Sequence, residues 1–189
     1  MAESIESKLK GFETGLKGVY LFKPYLFRDF RGAYSETFNE RDYSREIKKV
    51  TGKEVKFVQD SLSRSFKNVL RGIHGDDKTW KLISCPMGRM YTVIVNCDKK
   101  DKDYGKWQSF DLSQETMSQV LVPPKFGTSH IVLSDWAVFQ YKQSTYYDPK
   151  NLKQFTYRYD HPEFNIWWPI KKPILSKRDE QANTDLAGK

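Results

Sequence analysis

The hydrophobic positions of the chain fall into short segments of β-branched and aromatic residues, several of which alternate with polar positions. Alternation with a period of two is typical of strands that bury one face. Proline- and glycine-containing turn signals separate the segments, as at residues 86–88 and 123–124. The predicted strands are GVYLF (18–22), KFVQDSLSRS (56–65), RMYTVIVNC (89–97), SQVLVP (118–123), SHIVLS (129–134) and AVFQYKQSTYY (137–147). Many short strands at near-regular spacing predict an all-β sandwich or barrel.

Two stretches have helical character instead. Residues 40–51 predict a helix, and Ser113 to Thr116 carry a capping pattern that predicts a short helical turn. The tail after Pro173 is polar, and we expect its end to be frayed. Because the sequence contains no internal repeat, low-complexity segment or linker, we predict a single domain over residues 1–189.

Length and composition add few constraints. A chain of 189 residues can bury one substantial core, and 38% hydrophobic with 30% charged residues is an ordinary globular composition. No apolar run approaches the ~20 residues that cross a bilayer, and the N-terminus lacks the features of a signal peptide. We therefore expect a cytoplasmic protein in which Cys85 and Cys97 are free thiols.

The formal net charge of +8 raises the question of a polyanionic partner. The basic residues are spread along the chain with acidic residues between them, which favours solvated loops over a nucleic-acid surface. A site for a small phosphorylated ligand fits the charge equally well. We predict neither nucleic acid nor a membrane as a partner.

The residues that could carry chemistry exclude several classes of site. The histidines are His74, His130 and His161, which stand far apart with no His-x-His pair, so the sequence predicts no metal centre. His161 lies in DHPEF, which we interpret as a surface turn with a structural histidine. Neither cysteine has a flanking cation or a helix start, and no Gly-x-Ser-x-Gly elbow or glycine-rich phosphate loop is present.

Acid–base chemistry remains, and it centres on RGIHG (residues 71–75). A regular strand would place Arg71 and His74 on opposite faces, but a bulge or twist at Gly72 would turn both toward one cavity. Lys81 is either a solvent-facing lysine of an edge strand or part of the same site. Tyr141 is either a core tyrosine or a group that faces the cavity. The residues alone leave these alternatives open.

Several stretches together resemble the dTDP-4-dehydrorhamnose 3,5-epimerase family, a metal-free branch of the cupin-like jelly rolls that acts on nucleotide-linked 4-keto-6-deoxy sugars. They lie in the family's order and span nearly the whole chain. The matching stretches are FRDFRGAYSE (27–36), QDSLSRS (59–65), NVLRGIH (68–74), WKLISCPMG (80–88), DYGKW (103–107), LVPPKFG (121–127), YKQSTYY (141–147), IWWP (166–169) and ILSKRD (174–179).

The resemblance implies an all-β, cupin-like jelly-roll barrel with a few short helices, no cofactor, and a role for each matched residue. It makes His74 the general base, Asp179 the carboxylate that holds the base, Tyr141 the proton donor across the sugar and Lys81 the cation at the C4 oxygen. It places nucleotide contacts on Arg31, Tyr34, Glu36, Gln59, Arg71 and Tyr146. We also predict substrate contacts at Ser61, Asp76, Thr128 and His130. The loop that contains Arg31 typically reaches into a partner subunit, so a homodimer is expected.

The sequence departs from the common family pattern around the sugar. Gly75-Asp76 replaces Tyr-Gln, Thr128 stands where the family has histidine, His130 follows two residues later, and Ser61 replaces asparagine. RGIHGD with FGxxH resembles the branch that acts on GDP-linked 4-keto-heptoses for capsule or surface polysaccharide. Asp76 would then accept a hydrogen bond from the additional hydroxyl of such a sugar.

The leading hypothesis is therefore an isomerase that inverts C3, C5 or both in a nucleotide-linked 4-keto sugar. A proton beside a carbonyl is acidic because the charge moves onto oxygen, where a cation stabilises the enolate. Inversion then needs a base on one face and a donor on the other. The alternatives are a nucleotide-sugar 3,4-ketoisomerase and a non-catalytic sugar-binding cupin.

Overall fold

The structure is a computed structural model that describes residues 9–148, 150 and 153–182. Its elements, in chain order, are β1 (Lys10–Glu13), β2 (Tyr20–Lys23), β3 (Phe27–Asp29), β4 (Gly32–Tyr34), α1 (Glu40–Thr51), β5 (Gln59–Phe66), β6 (Leu70–Asp76), β7 (Lys81–Met87), β8 (Arg89–Asn96), β9 (Trp107–Ser113), β10 (Gln119–Val122), β11 (Phe126–Val132), β12 (Trp136–Gln143), β13 (Gln154–Thr156) and α2 (Lys177–Glu180).

Two antiparallel sheets face each other. A six-stranded sheet has the order β1-β2-β10-β7-β12-β5, and a five-stranded sheet has the order β13-β6-β11-β8-β9. The strands alternate between inward and outward side chains, so each sheet contributes one face to the space between them. This arrangement confirms the prediction of an all-β sandwich or barrel with a few short helices.

The space between the sheets is filled with apolar side chains over only part of its length. Ile83 and Val120 of the six-stranded sheet meet Met90, Ile94 and other residues of the five-stranded sheet in an apolar core. On β11 the inward positions Thr128 and His130 are polar and lie between the apolar Phe126 and Val132, and on β12 Tyr141 lines the same cavity. The same strands therefore contribute both to the packed core and to a cavity.

Helix α1 covers the outer face of the six-stranded sheet. The side chain of Asn39 accepts a hydrogen bond from the backbone of Asp42 at its start, and Gly52, with φ 71°, ends it in the left-handed conformation. Tyr43 and Ile47 are buried against that sheet. The predicted helix over residues 40–51 is confirmed.

Three local predictions differ from the structure, wholly or in part. Residues 113–116 form a single turn and no helix: β9 extends through Ser113, the Met117 N–H donates to the Ser113 carbonyl at 3.0 Å as in one helical turn, and Met117 ends the turn with a positive φ of 50°. His161 does lie between turns, but it is buried rather than at the surface, because the rings of Tyr157 and Phe164 pack against it. The segment FRDFRGAYSE contains a two-stranded hairpin, β3–β4, where we expected a loop.

Candidate active site

A cavity of about 280 Å³ opens between the two sheets, beside the apolar core. It is lined by Arg71, His74, Gly75 and Asp76 of β6, Lys81 of β7, Thr128 and His130 of β11, Phe139, Tyr141 and Gln143 of β12, Leu62 and Ser63 of β5, and by Tyr147, Gln154 and Arg178. Both sheets contribute, so a bound molecule would have protein groups on two opposite faces.

His74 and Asp179 form a close pair at one wall of this cavity. The Nε2 atom of His74 lies 2.6 Å from Oδ1 of Asp179, and the Asp179 side chain is buried while that of His74 is about one-third exposed. Burial raises the pKa of Asp179, but hydrogen bonds from His74, Ser176 and the Gly72 backbone outweigh it and leave that pKa below its usual value. An ionised carboxylate only accepts, so Nε2 carries the proton and Nδ1 keeps its lone pair.

The far end of the chain brings Asp179 to this position. Ile174 pairs with the segment before β6, accepting a hydrogen bond from the Leu70 N–H and donating one to the Asn68 carbonyl. Ser176 then caps α2, and its hydroxyl lies 3.0 Å from the second carboxylate oxygen of Asp179. The aspartate is therefore held on both oxygens.

Gly72 explains how Arg71 and His74 both reach the cavity. Its φ is +113°, and the pairing of β6 with β11 shifts register opposite it, between Thr128 and His130. A Cβ on this glycine would lie 2.5 Å from the Thr128 carbonyl oxygen, so other residues are excluded sterically. The predicted distortion at Gly72 is confirmed. Arg71 is fixed by a 2.9 Å hydrogen bond from its Nε to the Ser65 hydroxyl.

Lys81 and Asp76 face each other from the two sheets. Lys81 Nζ lies 3.9 Å from Asp76 Oδ2, with both side chains largely buried. Burial lowers the pKa of Lys81, and the charge of Asp76 opposes that change. Lys81 is therefore not a solvent-facing lysine of an edge strand, since β7 lies between β10 and β12.

Tyr141 and His130 lie on opposite sheets near one aromatic ring. The His130 ring stacks on Phe139 at 4.2 Å between centroids, and Phe139 is 5.3 Å from the Tyr141 ring. His130 is buried with its Nε2 unpaired among the described residues. Burial lowers the pKa of His130 to about 3, with the charges of Arg71 and His74 in the same direction and that of Asp179 opposing, so its imidazole is neutral at physiological pH.

Several residues named from the sequence lie outside this cavity in the single chain. Gln59 and Ser61 are hydrogen-bonded to each other beside it, and Gln59 accepts from the Tyr147 N–H. Tyr146 is exposed, and it is Tyr147 that lines the cavity. Arg31, Tyr34 and Glu36 belong to or follow the exposed β3–β4 hairpin, away from the cavity.

The cavity also contains residues that sequence reasoning missed. Phe139 and Gln143 share the inward face of β12 with Tyr141, so the period of two could have identified them. Gln154 and Arg178 carry no such signal, because β13 and α2 reach the cavity only through tertiary packing.

Within the described ranges, no group of three or more His, Cys, Asp or Glu side chains has the arrangement of a metal site. The same residues contain no helix that is long and apolar enough to cross a membrane. Both cysteines are buried and free, as the sequence predicted.

The fold and the site define a cupin-like barrel with an acid–base cavity. The family model for dTDP-4-dehydrorhamnose 3,5-epimerase matches residues 13–185. The chain belongs to this family, whose members are isomerases, and the prediction of an enzyme of this class is confirmed.

Individual relatives match over nearly their whole length. The dTDP-4-dehydrorhamnose 3,5-epimerase of Shigella flexneri is 34% identical over 170 residues, which cover 88% of this chain and 91% of that protein. The crystal structure of the enzyme of the same name from Elizabethkingia anophelis NUHP1 has a TM-score of 0.82 at 33% identity, covering 93% of this chain and 95% of that one. A dTDP-6-deoxy-D-glucose-3,5-epimerase from Legionella pneumophila Philadelphia 1, in complex with dTDP-4-keto-L-rhamnose, has a TM-score of 0.83 at 31% identity, with coverage of 92% and 91%.

Proposed function

We propose that this protein inverts C3, C5 or both in a nucleotide-linked 4-keto sugar by proton abstraction and reprotonation on the opposite face. The observation that carries the proposal is the His74–Asp179 pair at 2.6 Å, whose histidine lines a cavity together with Lys81 and Tyr141. No cofactor takes part in this scheme, and the whole chain acts as one domain.

His74 is the proposed base. Its Nε2 donates to Asp179, so Nδ1, which has no hydrogen bond within the described part of the chain, holds the lone pair that takes the proton. Asp179 then stabilises the imidazolium that forms. Lys81 lies at the oxygen on which enolate charge develops, in a water-poor cavity where such a cation is most effective.

Tyr141 is the proposed donor. It belongs to the six-stranded sheet, whereas His74 belongs to the five-stranded sheet, so the two groups lie on opposite walls of the cavity. One carbonyl at C4 activates both neighbouring carbons. A single base–donor pair can therefore serve C3 and C5 in turn.

The test is incubation with candidate 4-keto sugars in deuterated water, followed by NMR. Deuterium at C3, C5 or both, together with the inverted product, supports the proposal and counts the centres. Movement of the carbonyl to C3 would support a 3,4-ketoisomerase instead. Binding without any exchange would support a non-catalytic sugar-binding cupin.

The nucleotide and the sugar define two arms of this test. The relatives are named for dTDP-linked 6-deoxy sugars, so dTDP-4-keto-6-deoxyglucose is the first substrate. The second is a GDP-linked 4-keto-heptose or 6-deoxy-heptose, as used for capsule or surface polysaccharide in the cytoplasm. The GIHGD segment supports this second substrate. Among the described residues, one carboxylate oxygen of Asp76 accepts no hydrogen bond, and it lies at the cavity, where it could accept one from the additional hydroxyl of a heptose.

We also propose a homodimer in which the β3–β4 hairpin completes the partner's nucleotide site. Phe30, at the hairpin tip, is 99% exposed, and the exposed Arg31 beside it pairs with Asp29 at 2.6 Å, so the hairpin presents an apolar ring and a preoriented guanidinium group to a neighbour. Arg31, Tyr34 and Glu36 lie away from the cavity of their own chain, which supports their use by a second copy.

Mixing two inactive variants tests this arrangement. If Arg31→Ala and His74→Asn each lose activity, a 1:1 mixture that exchanges subunits should recover roughly one quarter of wild-type activity, from one intact site in each heterodimer. A fully active monomer in sedimentation at assay concentration would contradict the dimer.

A further inference from the structure

Lys81 is in a position where its charge is costly. The amine lies in the cavity wall with 13% of its side chain exposed, between the two sheets. A buried ammonium ion without a counter-charge loses its proton readily, and a neutral amine cannot stabilise an enolate as a cation does. A mechanism that uses this lysine therefore needs a group that keeps it protonated.

Asp76 is the acidic side chain that meets it. One carboxylate oxygen, Oδ1, accepts hydrogen bonds from the backbone N–H groups of Lys78 at 3.0 Å and Thr79 at 2.7 Å. The other oxygen, Oδ2, faces Lys81 Nζ at 3.9 Å. That distance is an ion pair without a hydrogen bond, so the ammonium protons stay free for an oxygen of a ligand.

We propose that Asp76 is a positioning residue that holds Lys81 as an ammonium ion at the oxygen of the substrate's carbonyl group. The inference rests on the proposed epimerase function and adds a second carboxylate to it. Asp179 holds the proposed base, His74, by a hydrogen bond. Asp76, on the five-stranded sheet, holds the charge of Lys81, which lies on the facing six-stranded sheet. Burial lowers the pKa of Lys81, and Asp76 raises it toward its ordinary range.

Other charged and titratable groups also face this amine. Around the cavity they are Arg71 and His74 on β6, His130 on β11, Tyr141 on β12, Tyr147 after it and Arg178 on α2. A guanidinium group in general keeps its charge at all working pH values, and the imidazole of His130 is neutral there. Loss of the Lys81 proton removes a cation from the site, so its effect should appear on the alkaline side.

Asp76→Asn removes the charge while its amide oxygen still accepts from the backbone of residues 78 and 79. We expect the alkaline limb of the deuterium-exchange rate to move to lower pH, so that the ratio of wild-type to variant kcat grows with pH. At its alkaline end the variant should approach Lys81→Met, with a loss of about 10²–10³-fold.

Asp77→Asn is the matched control, since it makes the same change one residue away from the pair and outside the cavity lining. Its alkaline limb should coincide with that of the wild type. A uniform loss in Asp76→Asn at every pH would overturn the proposal and make Asp76 a contact to the substrate alone.

A second measurement does not depend on turnover. In protein labelled with ¹³C-lysine, the Lys81 Cε resonance is assigned by its absence in Lys81→Met, and its titration is followed without substrate. A lower titration midpoint in Asp76→Asn, with no change in Asp77→Asn, supports the coupling, and equal midpoints in wild type and Asp76→Asn overturn it. If no 4-keto sugar is turned over, the proposed function fails while this result still stands.

Discussion

The two walls of the cavity are supported differently. On the wall formed by β6, β11 and α2, which we call the base wall, His74 is held by Asp179 and Arg71 by Ser65, at 2.6 and 2.9 Å. On the wall formed by β5, β7 and β12, the donor wall, the Tyr141 hydroxyl has no hydrogen bond among the described residues, and Lys81 has only the 3.9 Å ion pair.

This difference follows from the chemistry each wall has to perform. A base must present one tautomer before the substrate arrives, so its partners are built into the protein. A donor and an enolate-stabilising cation act on groups that the substrate brings, so their hydrogen-bonding capacity is kept free. We infer that the base wall is preorganised and that the donor wall is completed by the substrate.

The largest effect is expected from His74→Asn, which keeps a polar side chain on the base wall and removes its basicity. Deuterium exchange at both carbons should fall about 10²–10⁴-fold, while calorimetry should still detect nucleotide binding. Full exchange in this variant would show that another group is the base. The preorganised wall would then have a different purpose.

Asp179→Asn should have the next largest effect on exchange, because it mis-sets the His74 tautomer without removing the ring. The rate should lie between those of the wild type and His74→Asn. Asp111→Asn is a matched control, since Asp111 is exposed on β9 and pairs with Arg89 away from the cavity. Equal rates in Asp179→Asn and the wild type would mean that the His74–Asp179 pair is not needed for exchange.

Of these three variants, Tyr141→Phe should slow deuterium exchange least, but it should strongly reduce the amount of inverted product. The base can still form the enolate, so deuterium should still enter the substrate, but delivery to the opposite face fails and little inverted product forms. Tyr20→Phe, on β2 at the opposite side of the six-stranded sheet, is the control. If Tyr141→Phe loses exchange while His74→Asn keeps it, the tyrosine is the base and the two walls are assigned backwards.

The sequence predicted the donor wall and the base wall to different extents. The period of two along β12 was visible, but it could not decide whether Tyr141 faces a core or a cavity, because both are inward positions. On the base wall Gly72 indicated that Arg71 and His74 converge, since only a distortion allows it.

The contact between His74 and Asp179 spans 105 residues, and no local pattern encodes it. Only the family resemblance brought these two residues together before the structure did. Sequence reasoning missed Arg178, the residue before Asp179, because a four-residue helix shows no hydrophobic periodicity. Long-range placement of short terminal elements is decided by tertiary pairing, here by Ile174 beside β6.

The smallest expected effect is on folding stability, and it tests whether the buried His130 of the base wall makes the free energy of unfolding depend on pH. His130 has a pKa of about 3 in the folded chain against 6.5 in the unfolded one, so the unfolded state binds more protons between these values. Folding stability should therefore fall as pH drops below about 6.5. From pH 7 to pH 5 this histidine alone should remove about 2 kcal/mol.

His130→Phe keeps a flat ring against Phe139 and removes the titrating group. In urea unfolding at pH 7 and pH 5, the variant should lose less stability on acidification than the wild type, by about 2 kcal/mol. Phe139→Leu is the control: it weakens the stack but keeps the histidine, so it should be less stable at both pH values with the wild-type dependence on pH. Equal losses in wild type and His130→Phe would mean that His130 is protonated within the fold. The base wall would then carry a second cation beside Arg71, and His74 would face a more positive cavity than the one described.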